Sequence, residues 1–324
     1  MNQVKLLDNL INDKKKFYKE LEKVIIGQKE VIDYIFIAFL CRGHVLLEGV
    51  PGLGKTLLIK TISDILELNF SRIQFTPDLM PSDITGTEII SQDLNTGERQ
   101  FKFIKGPLFA NVILADEINR TPPKTQAALL EAMQENRVTI GVNTHQLEEP
   151  FFVLATQNPI EQEGTYPLPE AQLDRFMFNI LIEYPSYDDE INIVKFNTEK
   201  SNINLNQIIN AENLRKYQDL VMSVPIADNV IDFAVNFVHK TRPNHSKASK
   251  FTKKYLEWGA GPRASSYLIL AAKAHALINN KPTPDIDDVT AVIKPVLRHR
   301  IIPNFNAEAE GMKKDHILEE LLSI

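Results

Sequence analysis

A short glycine-rich segment carries the strongest chemical signal in the chain. Residues 49–56 read Gly-Val-Pro-Gly-Leu-Gly-Lys-Thr, which fits the spacing G-x-x-x-x-G-K-[ST]. The glycines let successive backbone N–H groups face one phosphate, and the start of a helix adds favourable partial charge. We expect Lys55 to reach the phosphates of a nucleotide and the Thr56 hydroxyl to bind Mg²⁺. The expected nucleotide-binding residues here are Gly49, Pro51, Gly52, Leu53, Gly54, Lys55, Thr56 and Leu57.

Two adjacent acids follow a hydrophobic run. Residues 112–115, Val-Ile-Leu-Ala, predict a buried strand that delivers Asp116 and Glu117 to its carboxyl end, where ligands bind in open α/β sheets. Asp116 would hold Mg²⁺ directly or through water, and Glu117 would polarise the attacking water as general base. An acidic cap after a strand is the alternative. A nucleotide switch without turnover does not need Glu117, so the pair favours hydrolysis.

Three further polar residues are weak signals when each is considered alone. Asn158 ends a predicted strand and would orient the water or contact the γ-phosphate, although strands commonly end in Asn-Pro turns. Arg175 stands just before the last predicted strand, where an arginine finger from a neighbouring subunit would be carried, although a salt-bridged surface arginine is commoner. Arg263 opens a predicted helix, and the proline before it indicates only ordinary capping.

Short apolar runs that alternate with helical segments must position these residues. Such alternation predicts a parallel sheet buried between helix layers. The predicted strands are 44–48, 72–75, 112–115, 152–155 and 176–182, and the predicted helices are 5–23, 29–40, 55–68 and 124–136. Two hairpins interrupt the pattern, at 87–106 around Asn95-Thr96-Gly97 and at 137–150.

In the remainder of the chain, the apolar residues have the spacing of helices. The strand pattern stops past Pro185, which predicts an α/β domain over 1–187 and a smaller helical domain over 188–324. The polar, basic segment 241–254 is predicted to be a loop that could touch nucleic acid or an acidic partner. Residues 315–322 are predicted to form a terminal helix.

Bulk composition narrows the functional classes. The 324 residues carry a formal net charge of −6 and no basic stripe, which argues against a nucleic-acid-binding protein. Cys41 is the single cysteine, so no intramolecular disulfide can form and a reducing compartment fits best. The seven histidines are scattered without a zinc signature. With no signal peptide and no membrane-spanning run in the sequence, we expect a cytoplasmic protein.

Taken together, these motifs resemble those of the AAA+ ATPases, and of the MoxR family in particular, over roughly residues 22–302. Residues 49–56 resemble Walker A, and Asp116-Glu117 resembles Walker B. Asn158 stands in a stretch similar to sensor 1, Arg175 in one similar to the arginine-finger stretch, and Arg263 in one similar to sensor 2. Ile26 and Gly27 lie in a segment that resembles the adenine-contacting one.

The resemblance implies a fold and a way of working. The expected fold is an α/β P-loop NTPase with a five-stranded parallel sheet between helices and a smaller C-terminal α-helical lid. The hairpin at 87–106 resembles the helix-2 insert, and the one at 137–150 resembles the hairpin before sensor 1; in relatives both face the centre of a ring. The family implies Mg²⁺-dependent ATP hydrolysis, hexamers, and chaperone-like remodelling, often beside von Willebrand A-domain proteins in metal or cofactor insertion and complex maturation.

Two other functions share this phosphate loop. A nucleic-acid motor of helicase or clamp-loader type has an overlapping fold, but the acidic balance argues against it. A small-molecule kinase is disfavoured by the Asp-Glu pair and the hairpins. We therefore expect an ATPase site between subunits. Its phosphate loop, Asp116, Glu117, Asn158 and Arg263 would come from one subunit, and Arg175 from the next.

Overall fold

The computed structural model describes residues 3–92, 99–141, 143–159, 164–198, 203–246 and 248–324. Its strands, in chain order, are β1 (Val45–Glu48), β2 (Phe70–Gln74), β3 (Gly86–Gln92), β4 (Arg99–Lys105), β5 (Val112–Asp116), β6 (Arg137–Ile140), β7 (Asn143–Gln146), β8 (Phe152–Gln157), β9 (Phe178–Leu181), β10 (Leu256–Trp258) and β11 (Ile302–Pro303).

Helices fill most of the rest of the described chain. They are α1 (Gln3–Leu21), α2 (Lys29–Leu40), α3 (Lys55–Ile65), α4 (Pro81–Thr85), α5 (Pro123–Glu135), α6 (Glu170–Leu173), α7 (Tyr187–Thr198), α8 (Ala211–Ser223), α9 (Asp228–Lys240), α10 (Lys250–Tyr255), α11 (Pro262–Ile278), α12 (Ile286–Leu297), α13 (Phe305–Ala309) and α14 (Lys314–Ser323), with a 3₁₀ turn at Ile118–Arg120.

The five predicted strands form one parallel sheet, in the order β2-β5-β8-β1-β9. Because all five run the same way, their first residues share one edge and their last residues share the other. We call these the amino edge, where Val45 and Phe178 begin their strands, and the carboxyl edge, where Glu48, Asp116 and Gln157 end theirs. The prediction of a five-stranded parallel sheet is confirmed.

Alternate residues of the central strands face two apolar cores. In β5, Val112 and Leu114 join a core with α1, α2 and α3, whereas Ile113 and Ala115 join a second core with α5. This alternation follows from the two-residue repeat of a strand. Both faces are therefore covered by helices, which explains why these strands have near-continuous apolar sequences.

The C-terminal helices pack against the first two helices of the chain. Leu214 of α8 and Leu268 of α11 belong to the same buried core as Phe17 of α1 and Phe39 of α2. The buried amide of Gln218, on α8, donates to the Phe39 carbonyl oxygen at 2.8 Å. The helical region is thereby fixed to α1 and α2 by a continuous core.

Parts of the C-terminal region differ from the prediction. Residues 250–255 of the predicted loop form α10, and the Ser249 hydroxyl caps it by accepting from the Thr252 N–H. The strand pattern also does not stop at Pro185, because β10 and β11 pair antiparallel. The terminal helix predicted at 315–322 is present as α14. The domain boundary at 187/188 stays a prediction.

The two predicted hairpins are present. Strands β3 and β4 pair antiparallel from Gly86–Lys105 to Gln92–Arg99, and β6 pairs with β7. The predicted turn at residues 95–97 lies outside the described residues.

In the described part of the chain, no single helix is long and apolar enough to cross a bilayer. Only α8 and α9 taken together, bent by 92°, meet that criterion by length and composition.

Candidate nucleotide-hydrolysis site

The phosphate loop leaves β1 at the carboxyl edge and enters α3. Gly52 and Gly54 have φ values of 85° and 70°, a region that side-chain-bearing residues seldom adopt. Gly49 is required for another reason, since a Cβ there would lie 2.8 Å from the Ile182 carbonyl oxygen. The loop thus follows a backbone path that glycine permits, as the motif predicts.

Lys55 lies folded against its own loop. Its ammonium donates to the carbonyl oxygens of Gly49 and, at 3.2 Å, Val50. Partial burial lowers the pKa of Lys55, while the carboxylates of Asp116 and Glu117 act in the opposite direction. The lysine is therefore held at the loop and lies within the electrostatic influence of both acids.

Asp116 ends β5 and is held from two neighbouring strands. The Thr156 hydroxyl, on β8, donates to its Oδ1 at 2.6 Å. Arg72, on β2, donates to its Oδ2 through Nη2 at 2.6 Å and through Nε at 3.1 Å. The carboxylate is fixed in orientation, with one oxygen in an ion pair.

Glu117 follows at once, in an unusual backbone conformation. Its φ is 57°, in the left-handed region that is costly for residues other than glycine. The Glu117 N–H donates to the Thr156 hydroxyl at 2.8 Å, which holds this turn. Its Oε2 accepts from the Gln74 amide at 2.8 Å and from Arg120 at 3.3 Å. The proposed general base is therefore engaged by two side chains.

Two further predicted residues, Asn158 and Thr56, also lie at the carboxyl edge. Asn158 is buried and directly follows β8, beside β1, and the Gly49 N–H donates to the Gln157 carbonyl oxygen at 3.4 Å. Thr56 is half-buried in the first turn of α3. Its hydroxyl and the Asp116 carboxylate are hard oxygen donors, which fit Mg²⁺. The structure thus brings the Walker-type residues and Asn158 to one edge of the sheet.

A cavity of about 390 Å³ opens beside the loop. Its lining includes Ile26, Val194 of α7, and Pro51, Leu53 and Leu57 of the loop and α3. The Gln28 amide donates to the Leu53 carbonyl oxygen at 3.3 Å, which ties the N-terminal segment to the loop. A largely apolar slot of this kind fits an adenine ring. Gly27, at φ 71°, lines the adjoining cavity of about 380 Å³.

Arg175 and Arg263 lie at the opposite edge of the sheet. Arg175 stands three residues before β9, so it is at the amino edge, and its Nη1 donates to the Leu130 carbonyl oxygen at 2.9 Å. Arg263, at the start of α11, pairs with Asp174 at 2.9 Å. Both arginines and His44, which precedes β1, line one small cavity.

This placement changes which subunit is expected to supply Arg263 to the site. A four-residue strand is about 13 Å long, and β1 separates the amino edge from the phosphate loop. Arg263 therefore does not lie at the loop of its own chain, and the expectation that both belong to one subunit's half-site is wrong. The physical reason is the packing of the C-terminal helices on α1 and α2, which sequence motifs do not encode.

Several residues at the carboxyl edge went unnoticed in the sequence. Arg72, Gln74 and Thr156 contact Asp116 or Glu117, yet they come from the neighbouring strands β2 and β8. Gln74 ends β2 and Thr156 lies one residue before the end of β8, whereas Arg72 is the middle residue of β2. A polar residue near the end of an otherwise buried strand was a signal that could have identified Thr156.

Comparison with known proteins agrees with this geometry. A family model described as "ATPase family associated with various cellular activities (AAA)" matches residues 44–178, and one described as "AAA lid domain" matches residues 248–321. The chain is 40% identical to the uncharacterized protein YeaC of Bacillus subtilis, over 95% of this chain and 92% of that protein.

Two further relatives are informative. The chain is 41% identical to the protein named chaperone MoxR1 of Mycobacterium tuberculosis, over 94% of this chain and 79% of that protein. A crystal structure of a protein from Cytophaga hutchinsonii superimposes with a TM-score of 0.91 at 42% identity, covering 98% of this chain and 96% of that one. With its phosphate loop, its Asp-Glu pair and its helical lid, the chain belongs to the MoxR family of AAA+ ATPases.

Proposed function

We propose that the chain hydrolyses ATP with Mg²⁺ at a site completed by a second copy of itself, and that hydrolysis drives chaperone-like remodelling of a protein partner. The observation that carries the shared site is the position of Arg175 and Arg263, which lie across the sheet from the phosphate loop. A heterologous, head-to-tail contact would bring one copy's amino edge to the next copy's carboxyl edge. The family suggests a closed ring of six.

The chemistry assigned to this site follows from its own residues. The loop N–H groups and Lys55 would bind the phosphates, and Thr56 and Asp116 would hold Mg²⁺, which neutralises charge on the phosphate oxygens when bound. Glu117 would take a proton from the attacking water once freed from Gln74. Asn158 would orient that water. The next copy's arginines would stabilise the charge that develops on the transferred phosphoryl group.

The remodelling half of the proposal rests on a relative's name and on an exposed surface. MoxR1 carries the name chaperone. The hairpin of β3 and β4 presents Ile90 and Phe101 as a cross-strand pair, 63% and 76% exposed. Exposed apolar side chains on neighbouring strands suit contact with an extended or partly unfolded protein. The partner class that the family suggests is a von Willebrand A-domain protein, in metal or cofactor insertion or complex assembly.

The compartment proposed for this cycle is the cytoplasm. Cys41 is buried, its thiol donates to the Leu270 carbonyl oxygen at 3.4 Å, and burial raises its pKa. Because this single thiol is buried and cannot form an intramolecular disulfide, the chain is compatible with a reducing compartment.

Steady-state ATPase measurements with Mg²⁺ test the hydrolysis half. We expect Glu117→Gln to bind ATP normally but to lose turnover by about a hundredfold or more. Arg175→Ala should lose turnover by about a thousandfold at protein concentrations where the wild type is assembled. Arg215→Ala, an exposed arginine on α8, is the matched control and should retain activity. Full turnover by Arg175→Ala would contradict the shared site.

The coupling to remodelling has its own test. Aggregation of heat-unfolded citrate synthase is followed with wild type or Glu117→Gln, each with ATP. We expect only the wild type to keep the client soluble over many turnovers. Equal protection by both proteins would show that hydrolysis is not coupled to client handling. Stimulation of the ATPase by DNA, lost steeply with added salt, would favour the nucleic-acid motor instead.

A further inference from the structure

One carboxylate at the amino edge joins two arginines. Asp174 accepts from Arg300 Nε at its Oδ1, at 2.7 Å, and from Arg263 Nη1 at its Oδ2, at 2.9 Å. Asp174 also precedes Arg175 in the chain. A single side chain thus connects the segment that follows α12, the start of α11 and the turn that carries the proposed arginine finger.

Arg300 is buried and holds the Asp174 carboxylate in place. Its side chain is 1% exposed. It donates to the carbonyl oxygens of Asp174 at 2.8 Å and Phe176 at 2.6 Å, in addition to the Asp174 carboxylate. Burial lowers the pKa of its guanidinium, and Asp174 opposes that effect. A charge buried this deeply needs its partner, so Asp174 has little freedom to move.

Tyr267 completes the arrangement from α11. Its ring lies under the Arg300 guanidinium at 5.1 Å, and its hydroxyl donates to the Arg175 carbonyl oxygen at 3.4 Å. The backbone at Arg175 is therefore held from the lid, while the Arg263 guanidinium, 43% exposed at its side chain, is held by Asp174. An exposed arginine without such a partner samples many rotamers.

We infer that Asp174, anchored by Arg300, is a positioning residue that presents Arg263 and the Arg175 turn to the ATP of the next subunit. This inference rests on the proposed shared site. Holding a cation where charge develops removes the need to order it during the reaction, and a misplacement of about 1 Å can cost about a hundredfold in rate. The lid of one copy would then set the turnover of its neighbour.

The kinetic test uses Asp174→Asn, which keeps the side chain's size. We expect turnover to fall by about tenfold to a hundredfold with little change in ATP affinity, because the phosphate loop of the same copy is untouched. The double variant Asp174→Asn/Arg263→Ala should lose less activation free energy than the sum of the two single losses, because part of the effect of Asp174 passes through Arg263. Additive losses would contradict action through Arg263. Glu212→Gln, which breaks an exposed ion pair with Lys216 on α8, is the matched control.

Folding must be separated from positioning. Asp174→Glu keeps the charge next to Arg300 but moves the carboxylate by one methylene. We expect its thermal midpoint to stay near that of the wild type while its turnover falls. Wild-type turnover by both Asp174→Glu and Asp174→Asn would overturn the inference.

Mixing experiments decide whether Asp174 acts on the neighbour. Asp174→Asn is mixed with Lys55→Ala, which lacks a working loop but keeps its amino edge. In a randomly mixed ring, about a quarter of the interfaces pair an intact loop with an intact amino edge, so activity should reappear. Arg175→Ala mixed with Lys55→Ala is run in parallel. Recovery in both mixtures supports the inference, and recovery with Arg175→Ala alone overturns it. Failure of both mixtures would refute the shared site itself.

Discussion

At the scale of single residues, one hydroxyl ties both acids of the site together. Thr156 is 1% exposed, accepts from the Glu117 N–H and donates to Asp116. It therefore supports the left-handed turn that places Glu117 and also orients the carboxylate proposed for Mg²⁺. Loss of that hydroxyl would leave the partly buried Glu117 N–H without its acceptor.

Replacing Thr156 tests that role. Thr156→Val has nearly the same shape, so we expect it to fold but to lose about 1–3 kcal/mol of stability. We also expect turnover to fall by about tenfold or more, because Glu117 loses its support. Thr156→Ser keeps the hydroxyl and should behave like the wild type in both respects. Urea unfolding and steady-state ATPase rates, measured side by side, check the prediction; an unchanged rate for Thr156→Val would refute it.

The phosphate loop and the Asp-Glu pair could be predicted because their chemistry depends on residues adjacent in the chain. Gly49, Lys55 and Asp116 lie together at the carboxyl edge, next to the ends of β1 and β5. Arg72 and Gln74 could not be assigned in this way, since each acts on a strand more than forty residues distant. Their roles depend on the strand order, which puts β2 beside β5.

At the scale of secondary-structure elements, the buried side chain of His44 holds the residue that directly precedes β1. The Val153 N–H donates to His44 Nδ1 at 3.0 Å, and His44 Nε2 lies 3.0 Å from the Met133 carbonyl oxygen. These partners fit a neutral ring protonated at Nε2. Burial lowers the pKa of His44 to about 4. The ring thereby links β1, β8 and the end of α5 in its uncharged form.

This histidine makes stability depend on pH. The unfolded chain binds a proton near pH 6.5 and the folded chain only near pH 4, so stability is lost as the pH falls through that window. At pH 5 the loss from His44 should be about 2 kcal/mol. In His44→Gln, we expect urea unfolding to show a pH dependence weaker by that amount. His316→Gln, on the surface, should keep the wild-type dependence; an equal slope in all three proteins would refute the assignment.

The errors in the predicted elements have local causes. The inner strands β1, β5 and β8 were predicted because burial on both faces leaves them largely apolar, as in Val112–Ala115. Helix α10 was missed because its lysines resemble a solvated loop. The cap at Ser249 was a readable signal. Strands β10 and β11 have only three and two residues, too few for an alternating pattern.

At the scale of the whole molecule, the residues proposed for one reaction lie at two opposite edges of the sheet. A lone copy holds a phosphate loop at one edge and two arginines at the other. Sequence motifs predicted both sets but not their separation. That separation depends on the buried contacts between the C-terminal helices and the residues around Phe17 and Phe39.

Turnover should therefore depend on assembly. We expect activity per subunit to rise with protein concentration and to level off once rings form, because only then does each loop face a neighbour's arginines. Rates and sedimentation profiles measured over the same dilution series check this. Constant activity per subunit across a range in which the assembly state changes would contradict it. A covalently linked dimer is the control, since its one internal interface should stay active on dilution.

The lid also carries a spectroscopic label of its own. Trp258 is the only tryptophan in the chain, it is 65% exposed on β10, and Arg263 follows it five residues later. The tryptophan fluorescence of this protein therefore reports on one position alone. In the isolated copy that emission should lie at the long wavelengths typical of a hydrated ring and be quenched readily by iodide. Any contact that covers this part of the lid would shift the emission maximum of Trp258 to shorter wavelengths, so that binding could be followed without an added dye.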